Sequence, residues 1–152
     1  MNLTLPSDRE IVLTRVFHAP AQAVFEMWTK PEHVRKWYAV RSTTMTVCDM
    51  DQRVGGRWRW VVTTPKGMEI AFSGVFREID PPRRLQRTER FEAMPGESVV
   101  TLTFDETDGQ TTLTMHMLFE SKADRDVCLR SGMELGVKEC YEKMDELLAA
   151  RG

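Results

Sequence analysis

The middle of the chain alternates apolar and polar residues with period two, as strands with one buried face do. Trp58, Trp60 and Val62 share one side of a segment whose other side carries Arg57, Arg59 and Val61. Met68, Ile70, Phe72, Gly74 and Phe76 line one face of the next, opposite Glu69, Ser73 and Arg77. Met45 and Val47 mark a shorter strand before these. Leu85 to Phe91 predicts a more polar one after them, followed by Val100, Leu102 and Phe104, then Leu113, Met115, Met117 and Phe119. Turn chemistry separates the segments at Gly55-Gly56, Pro65-Lys66-Gly67, Asp80-Pro81-Pro82, Met94-Pro95-Gly96 and Asp108-Gly109. The last pair is a two-residue hairpin signal.

The ends of the chain follow other rules. Residues 9–17, REIVLTRVF, are β-branched and aromatic and predict a strand. Pro20 opens a short helix with Val24, Phe25 and Trp28 as its apolar stripe. Thr29-Lys30-Pro31 breaks it, and a second short helix turns Val34, Trp37 and Tyr38 inward. Near Ser121, a plausible N-cap with Asp124 three residues on, the period becomes helical. Leu129, Met133, Gly136, Cys140, Met144 and Leu147 then recur on one face, with Ser131-Gly132 as the place for a kink or split. The order is strand, two short helices, six strands, long helix. It predicts an α+β domain: a curved antiparallel sheet of about six or seven strands around a long C-terminal helix, with two short helices after the first strand. Residues 1–152 show no linker or internal repeat and read as one domain.

A long helix on a bent sheet cannot touch it everywhere, so the gap is filled by large side chains, by ligand, or by both. Trp58, Trp60, Phe72, Met115 and Met117 face that gap from the sheet, and Met133, Gly136, Val137 and Cys140 from the helix. Gly132 and Gly136 supply no bulk, at about 0.5–1 kcal/mol each within a helix. Ten methionines in 152 residues suit a surface that adapts to variable ligands. The same spacing also builds a solid core, and from pattern alone the solid core is the commoner outcome. The ligand-binding candidates are Trp37, Met45, Trp58, Trp60, Phe72, Met115, Met117, Met133, Val137 and Tyr141.

Charge narrows the partners. The chain has 21 Lys and Arg against 23 Asp and Glu, interspersed, for a net charge of −2. No basic face is implied, so no nucleic acid is expected. Neither a signal-peptide core nor a run of about 18 apolar residues occurs, so no membrane span is expected. Cys48, Cys128 and Cys140 are widely spaced and read as free thiols in a reducing compartment, the cytoplasm. His18, His33 and His116 lack metal-ligand spacing, and His116 is out of phase with Met115 and Met117. No metal, cofactor or catalytic residue is assigned. Glu78, Arg87, Glu89 and Tyr141 are the groups that acid–base chemistry in a cavity would use. A carboxylate against tryptophans would titrate high. The competing reading, a solvated or ion-paired sheet edge, is favoured by the rarity of buried charges.

Several stretches resemble a known family. They are Trp28-Thr29-Lys30-Pro31-Glu32-His33-Val34-Arg35-Lys36-Trp37, Gly55-Gly56-Arg57-Trp58, the run from Phe72 through Asp80-Pro81-Pro82 to Leu85, and the tail from Ser131-Gly132 to Met144-Asp145-Glu146-Leu147-Leu148. In this order they resemble the SRPBCC, or START-like, superfamily, in the branch named for the activator of the ninety-kilodalton heat-shock chaperone's ATPase. The resemblance implies a helix-grip fold with a hydrophobic cavity that takes lipids, sterols or polyketides. In a few relatives it implies cyclase or aromatase activity. The eukaryotic namesake engages the chaperone through a separate N-terminal domain for which this chain has no room, so no chaperone partner is expected. The expectation is a binding module for a small apolar or amphipathic molecule, with a homodimer allowed. The alternatives are a cyclase or dehydratase-like enzyme using Glu89 or Tyr141, and a chaperone or stress-response interaction module.

Overall fold

The computed structural model describes residues 1–39 and 42–151. Among these, eight strands form one antiparallel sheet: β1 (Asn2–Thr4), β2 (Glu10–Phe17), β3 (Thr44–Met50), β4 (Arg57–Thr63), β5 (Glu69–Asp80), β6 (Arg84–Phe91), β7 (Ser98–Thr107) and β8 (Gln110–Leu118). Their order across the sheet is β1-β2-β8-β7-β6-β5-β4-β3. The helices are α1 (Ala21–Thr29), α2 (Pro31–Trp37), α3 (Lys122–Arg130) and α4 (Met133–Arg151). Strand β2 lies next to one edge of the sheet and β3 is the other edge, so α1 and α2 carry the chain across it. The predicted α+β helix-grip class holds.

The predicted six or seven strands become eight, because β1 was not expected. Asn2-Leu3-Thr4 is too short to show a period and offers one apolar side chain, Leu3, opposite Leu13 on β2. The C-terminal helix is two helices. Ser121 caps α3, its hydroxyl accepting the Asp124 N–H at 3.1 Å. Gly132 then takes φ +84°, a left-handed conformation that ends the run before α4. Its role is to break the helix, so the space argument made for a mid-helix glycine applies only to Gly136.

Register fixes what points inward. One row runs Ile11, Met117, Val100, Arg87 and the next Leu13, Met115, Leu102, Leu85. On the far side Trp58 sits opposite Gly74, and Trp60 opposite Phe72. Gly74 is where bare backbone is required. The Trp58 indole N–H crosses it to donate to the Thr88 carbonyl at 3.0 Å. A Cβ on Gly74 would lie 1.9 Å from that oxygen and 2.7 Å from Trp58 Nε1. Thr88 also accepts the Val75 N–H through its hydroxyl at 2.9 Å, tying β5 to β6 at the same point.

Two glycine substitutions should therefore move stability in opposite directions. Gly74→Ala meets backbone that cannot yield and should cost about 1–3 kcal/mol or more, seen as a Tm fall of roughly 3–10 °C. Gly136→Ala meets nothing within 4 Å. It should gain about 0.5–1 kcal/mol of helix propensity and raise Tm by roughly 1–4 °C. Thermal denaturation of both variants checks the pair, and shifts of the same sign would refute the packing described.

Candidate functional site

Alternation along β6 puts Leu85, Arg87 and Glu89 on the inner face. Arg87 is only 3% exposed. Its guanidinium carbon lies 4.0 Å from the Trp58 ring centroid, 4.5 Å from Trp60 and 5.8 Å from Trp28. These cation–π contacts are worth up to about 2 kcal/mol each when desolvated. Its one carboxylate contact is Nη2 to Glu89 Oε1 at 3.5 Å, too long for a strong charge-assisted hydrogen bond. Nε and Nη1 are buried with no acceptor among the described residues. Buried donors left unpaired cost about 1–3 kcal/mol each.

Glu89 opens toward the same interior and keeps 22% of its side chain exposed. Burial pushes its carboxyl above the usual range, and the Arg87 charge offsets part of this. Burial also pulls Arg87 down, opposed by Glu89. A guanidinium remains charged through such a shift, so the cation is the fixed partner of the pair. Burial raises the phenols of Tyr38 and Tyr141 and the thiol of Cys128. The Glu89 charge adds to the shift at Tyr38 and Cys128, while Arg87 opposes it at both phenols. Tyr38 closes α2, Cys128 lies on α3 and Tyr141 on α4. Groups from three helices thus share an electrostatic neighbourhood with the Arg87–Glu89 pair on the sheet.

Aromatic rings build the walls. Tyr38 packs 4.9 Å from Trp60, Trp58 5.2 Å from Trp60, Trp28 4.7 Å from Trp37, and Tyr141 6.3 Å from Trp28. Trp37 donates its indole N–H to the Met27 carbonyl at 2.7 Å. The indole nitrogens of Trp28 and Trp60 and the Tyr141 hydroxyl are buried without a partner among the described residues.

Of the ten residues predicted to bind ligand, Trp58 and Trp60 contact Arg87, while Trp37 packs on Trp60 and Tyr141 on Trp28, both rings that flank it. Met45, Met115 and Met117 are buried with them in the core cluster. Phe72, Met133 and Val137 are half-buried against that cluster. Phe72 stacks on Phe91 at 5.3 Å. Two surface depressions, of about 280 Å³ at Arg90, Pro95, Gly96, Glu97 and Glu120 and about 410 Å³ at Met1, Asn2, Thr14, Arg15, Val16 and Thr112, contain none of the ten. Arg87, which sequence reasoning weighed as sheet edge, is instead the polar centre of the interior. The usable signal was its parity with Leu85. Glu78 does behave as sheet surface, pairing with Arg84 at 3.0 Å with both side chains exposed. His116 pairs with Glu10, away from the interior. Among the described residues no group of three or more His, Cys, Asp or Glu side chains is placed to hold a metal ion. No helix there is long and apolar enough to cross a membrane.

The model of the family described as "Activator of Hsp90 ATPase homolog 1-like protein" matches residues 18–149. Among solved structures the chain is similar to a Rhodobacter sphaeroides protein at 28% identity, with a TM-score of 0.91 and coverage of 98% of this chain and 97% of that one. It is similar to a Mycobacterium smegmatis protein at 25% identity, TM-score 0.87, covering 100% and 99%. A Nitrosomonas europaea protein at 22% identity and TM-score 0.86, covering 97% and 98%, shares the fold. None of the curated proteins matches.

The shift at Cys128 can be checked directly. Burial, reinforced by Glu89, pushes its thiol up to about 12. At pH 8 an ordinary thiol is roughly a quarter thiolate, whereas one with that value is about one part in ten thousand thiolate. Alkylation of Cys128 by iodoacetamide at pH 8 should run roughly a thousandfold slower in the native than in the denatured chain, by site-resolved mass spectrometry. A native rate within tenfold of the denatured one would place the thiol at the surface.

Proposed function

We propose a binding role from one premise: the chain belongs to the activator of Hsp90 ATPase homolog 1-like family. The molecule bound is small and apolar or amphipathic, and it sits between the sheet and α4. The observation that carries this reading is the uneven grip of α4. Tyr141, Met144 and Leu148, in its C-terminal part, are buried. Met133, Val137 and Cys140 lie along the preceding turns, touch the core cluster and stay only partly buried. Gly136 among them leaves the place of a Cβ empty to 4 Å. The sheet answers with Ile70 and Phe72, which are also half-buried. An apolar body entering here would cover side chains that the fold leaves partly wet, at roughly 25 cal/mol per Å². Trp58 and Trp60 would form the floor. Methionine at three of the candidate positions on the sheet lets that floor adapt.

This reading needs no catalytic group. The buried phenol of Tyr141 is held far from neutral titration, which suits a hydrogen-bonding wall better than an acid–base catalyst. A cytoplasmic location goes with three cysteines that form no disulfide. The enzyme alternative predicts chemical turnover of the bound molecule. The chaperone alternative predicts stimulation of a ninety-kilodalton chaperone's ATPase. The binding reading predicts neither.

A panel of fatty acids, sterols and flavonoids tests it. A ligand at about 100 times its Kd adds roughly 2.7 kcal/mol and should raise Tm by about 5–10 °C. Val137→Trp then separates space from solid packing. In open space the indole buries apolar area, so Tm should hold or rise while panel binding, followed by calorimetry, is lost. In solid core the added bulk costs about 1–3 kcal/mol. A panel that binds nowhere, or a Tm lowered by several degrees with binding retained, would remove the pocket from this face.

A further inference from the structure

Several buried hydrogen-bond donors of the interior have no acceptor among the described residues. Four indole nitrogens lie there, and the backbone satisfies two of them: Trp58 Nε1 through the Thr88 carbonyl and Trp37 Nε1 through the Met27 carbonyl. Among the described residues the indole nitrogens of Trp28 and Trp60 have no acceptor, nor do Arg87 Nε and Nη1. Trp28 and Trp60 are two of the three rings that flank the Arg87 guanidinium, so the unpaired donors belong to one cluster. The Tyr141 hydroxyl, also unpartnered, belongs to a ring that packs against Trp28. Glu89 is the one acidic side chain paired with Arg87, through a single oxygen at 3.5 Å. Cation–π contact answers the charge of a guanidinium, and it does nothing for the N–H groups that charge makes strong donors.

An apolar ligand would leave each of these donors as it is. A hydroxyl would take one. A carboxylate brings two oxygens, about four acceptor sites and a negative charge, and so answers the donors and the cation together. The walls fix the rest of the molecule. Tyr38, Phe72, Met133 and Val137, partly buried against the same core cluster, offer rings and apolar chains. A body that fits there is a hydrocarbon or a flat ring system, with its charged end toward β6.

Resting on the binding role proposed above, we propose that Arg87 is the recognition residue for a ligand carboxylate, assisted by the Trp60 indole and the Tyr141 hydroxyl. The ligand class is an amphipathic carboxylic acid, bound head-inward.

The test compares matched probes. Dodecanoate, its methyl ester and dodecanol, with a second series of naphthoate, methyl naphthoate and naphthol, share bodies and differ in head. Calorimetry on the full chain should find each carboxylate at least tenfold tighter than its ester or alcohol. Arg87→Met keeps an unbranched apolar stem and should erase that preference, so that acid, ester and alcohol of one series bind the variant within about threefold of one another. Arg87→Lys retains the charge and should restore part of it, and it serves as the second variant if Arg87→Met does not fold. Equal binding of acid and ester by the natural chain, or a preference that survives Arg87→Met, would overturn the carboxylate proposal and leave the binding role standing. If no member of either series binds, both are overturned.

Discussion

A guanidinium held among indoles is the constraint on which the centre of this fold depends. A charge at the position of Arg87 would cost several kcal/mol if it had only apolar neighbours. Trp58 and Trp60 on β4 and Trp28 on α1 supply the contacts that make it tolerable. Each depends on something else in turn. Trp58 keeps its place by donating to Thr88, across a strand position that must be glycine. Trp60 is packed edge-on by Trp37 from α2. Trp28 is positioned by α1, whose first N–H, that of Ala21, is capped by Glu106 at 2.7 Å from β7. The crossing helices and the two halves of the sheet therefore meet at one side chain.

The hold on the C-terminal helix is graded, and this is where dynamics enters. Tyr141 meets Phe17 edge-on at 5.5 Å, Asp145 pairs with Arg15, and Arg151 reaches Glu26 on α1 at 3.6 Å. Tyr141 lies at the middle of α4, and Asp145 and Arg151 in its C-terminal half. The turns before Tyr141 begin at the Gly132 break, and their apolar side chains are partly buried or, at Leu135, exposed. Segments with few buried contacts open at the lowest free energy. The region that would admit a ligand is thus the region the fold restrains least, and the floor beneath it is made of buried indoles.

The sequence made the strands legible because period-two patterning survives wherever one face is buried. The hairpin at Asp108-Gly109 was legible for a local reason: both residues adopt positive φ, 52° and 78°, which this pair tolerates better than others. Strand β1 was hidden because three residues carry no period, and its pairing with β2 is a tertiary fact. The break at Ser131-Gly132 was visible, but whether it kinked or split the helix depended on packing. Arg87 illustrates the real limit. Its parity pointed inward, yet a charged residue is ordinarily solvated, and the side chains that compensate it come from α1 and β4, distant in sequence. For Met45, Met115 and Met117 the pattern gave burial correctly. Whether such a residue is core or lining is a matter of what stands opposite it, which period cannot express.

The two kinds of wall in this interior select in different ways. Methionine, phenylalanine and tryptophan faces discriminate weakly, since one methylene more or less changes an apolar contact by only about 1–3 kcal/mol. Buried donors discriminate strongly, because a ligand that fails to meet them adds no partner and also blocks the water that could. On the proposed binding role, donors at the floor and adaptable side chains toward the loosely held half of α4 would make a site strict about one end of a molecule and permissive about the other. A fold using this division can change the bodies it accepts by substitutions at Phe72, Met133 or Val137 without disturbing Arg87. Substitution at Arg87 itself would reach through Trp28, Trp58 and Trp60 into the packing of the whole sheet. Specificity for a ligand's head would therefore be coupled to the stability of the fold, and specificity for its body would not.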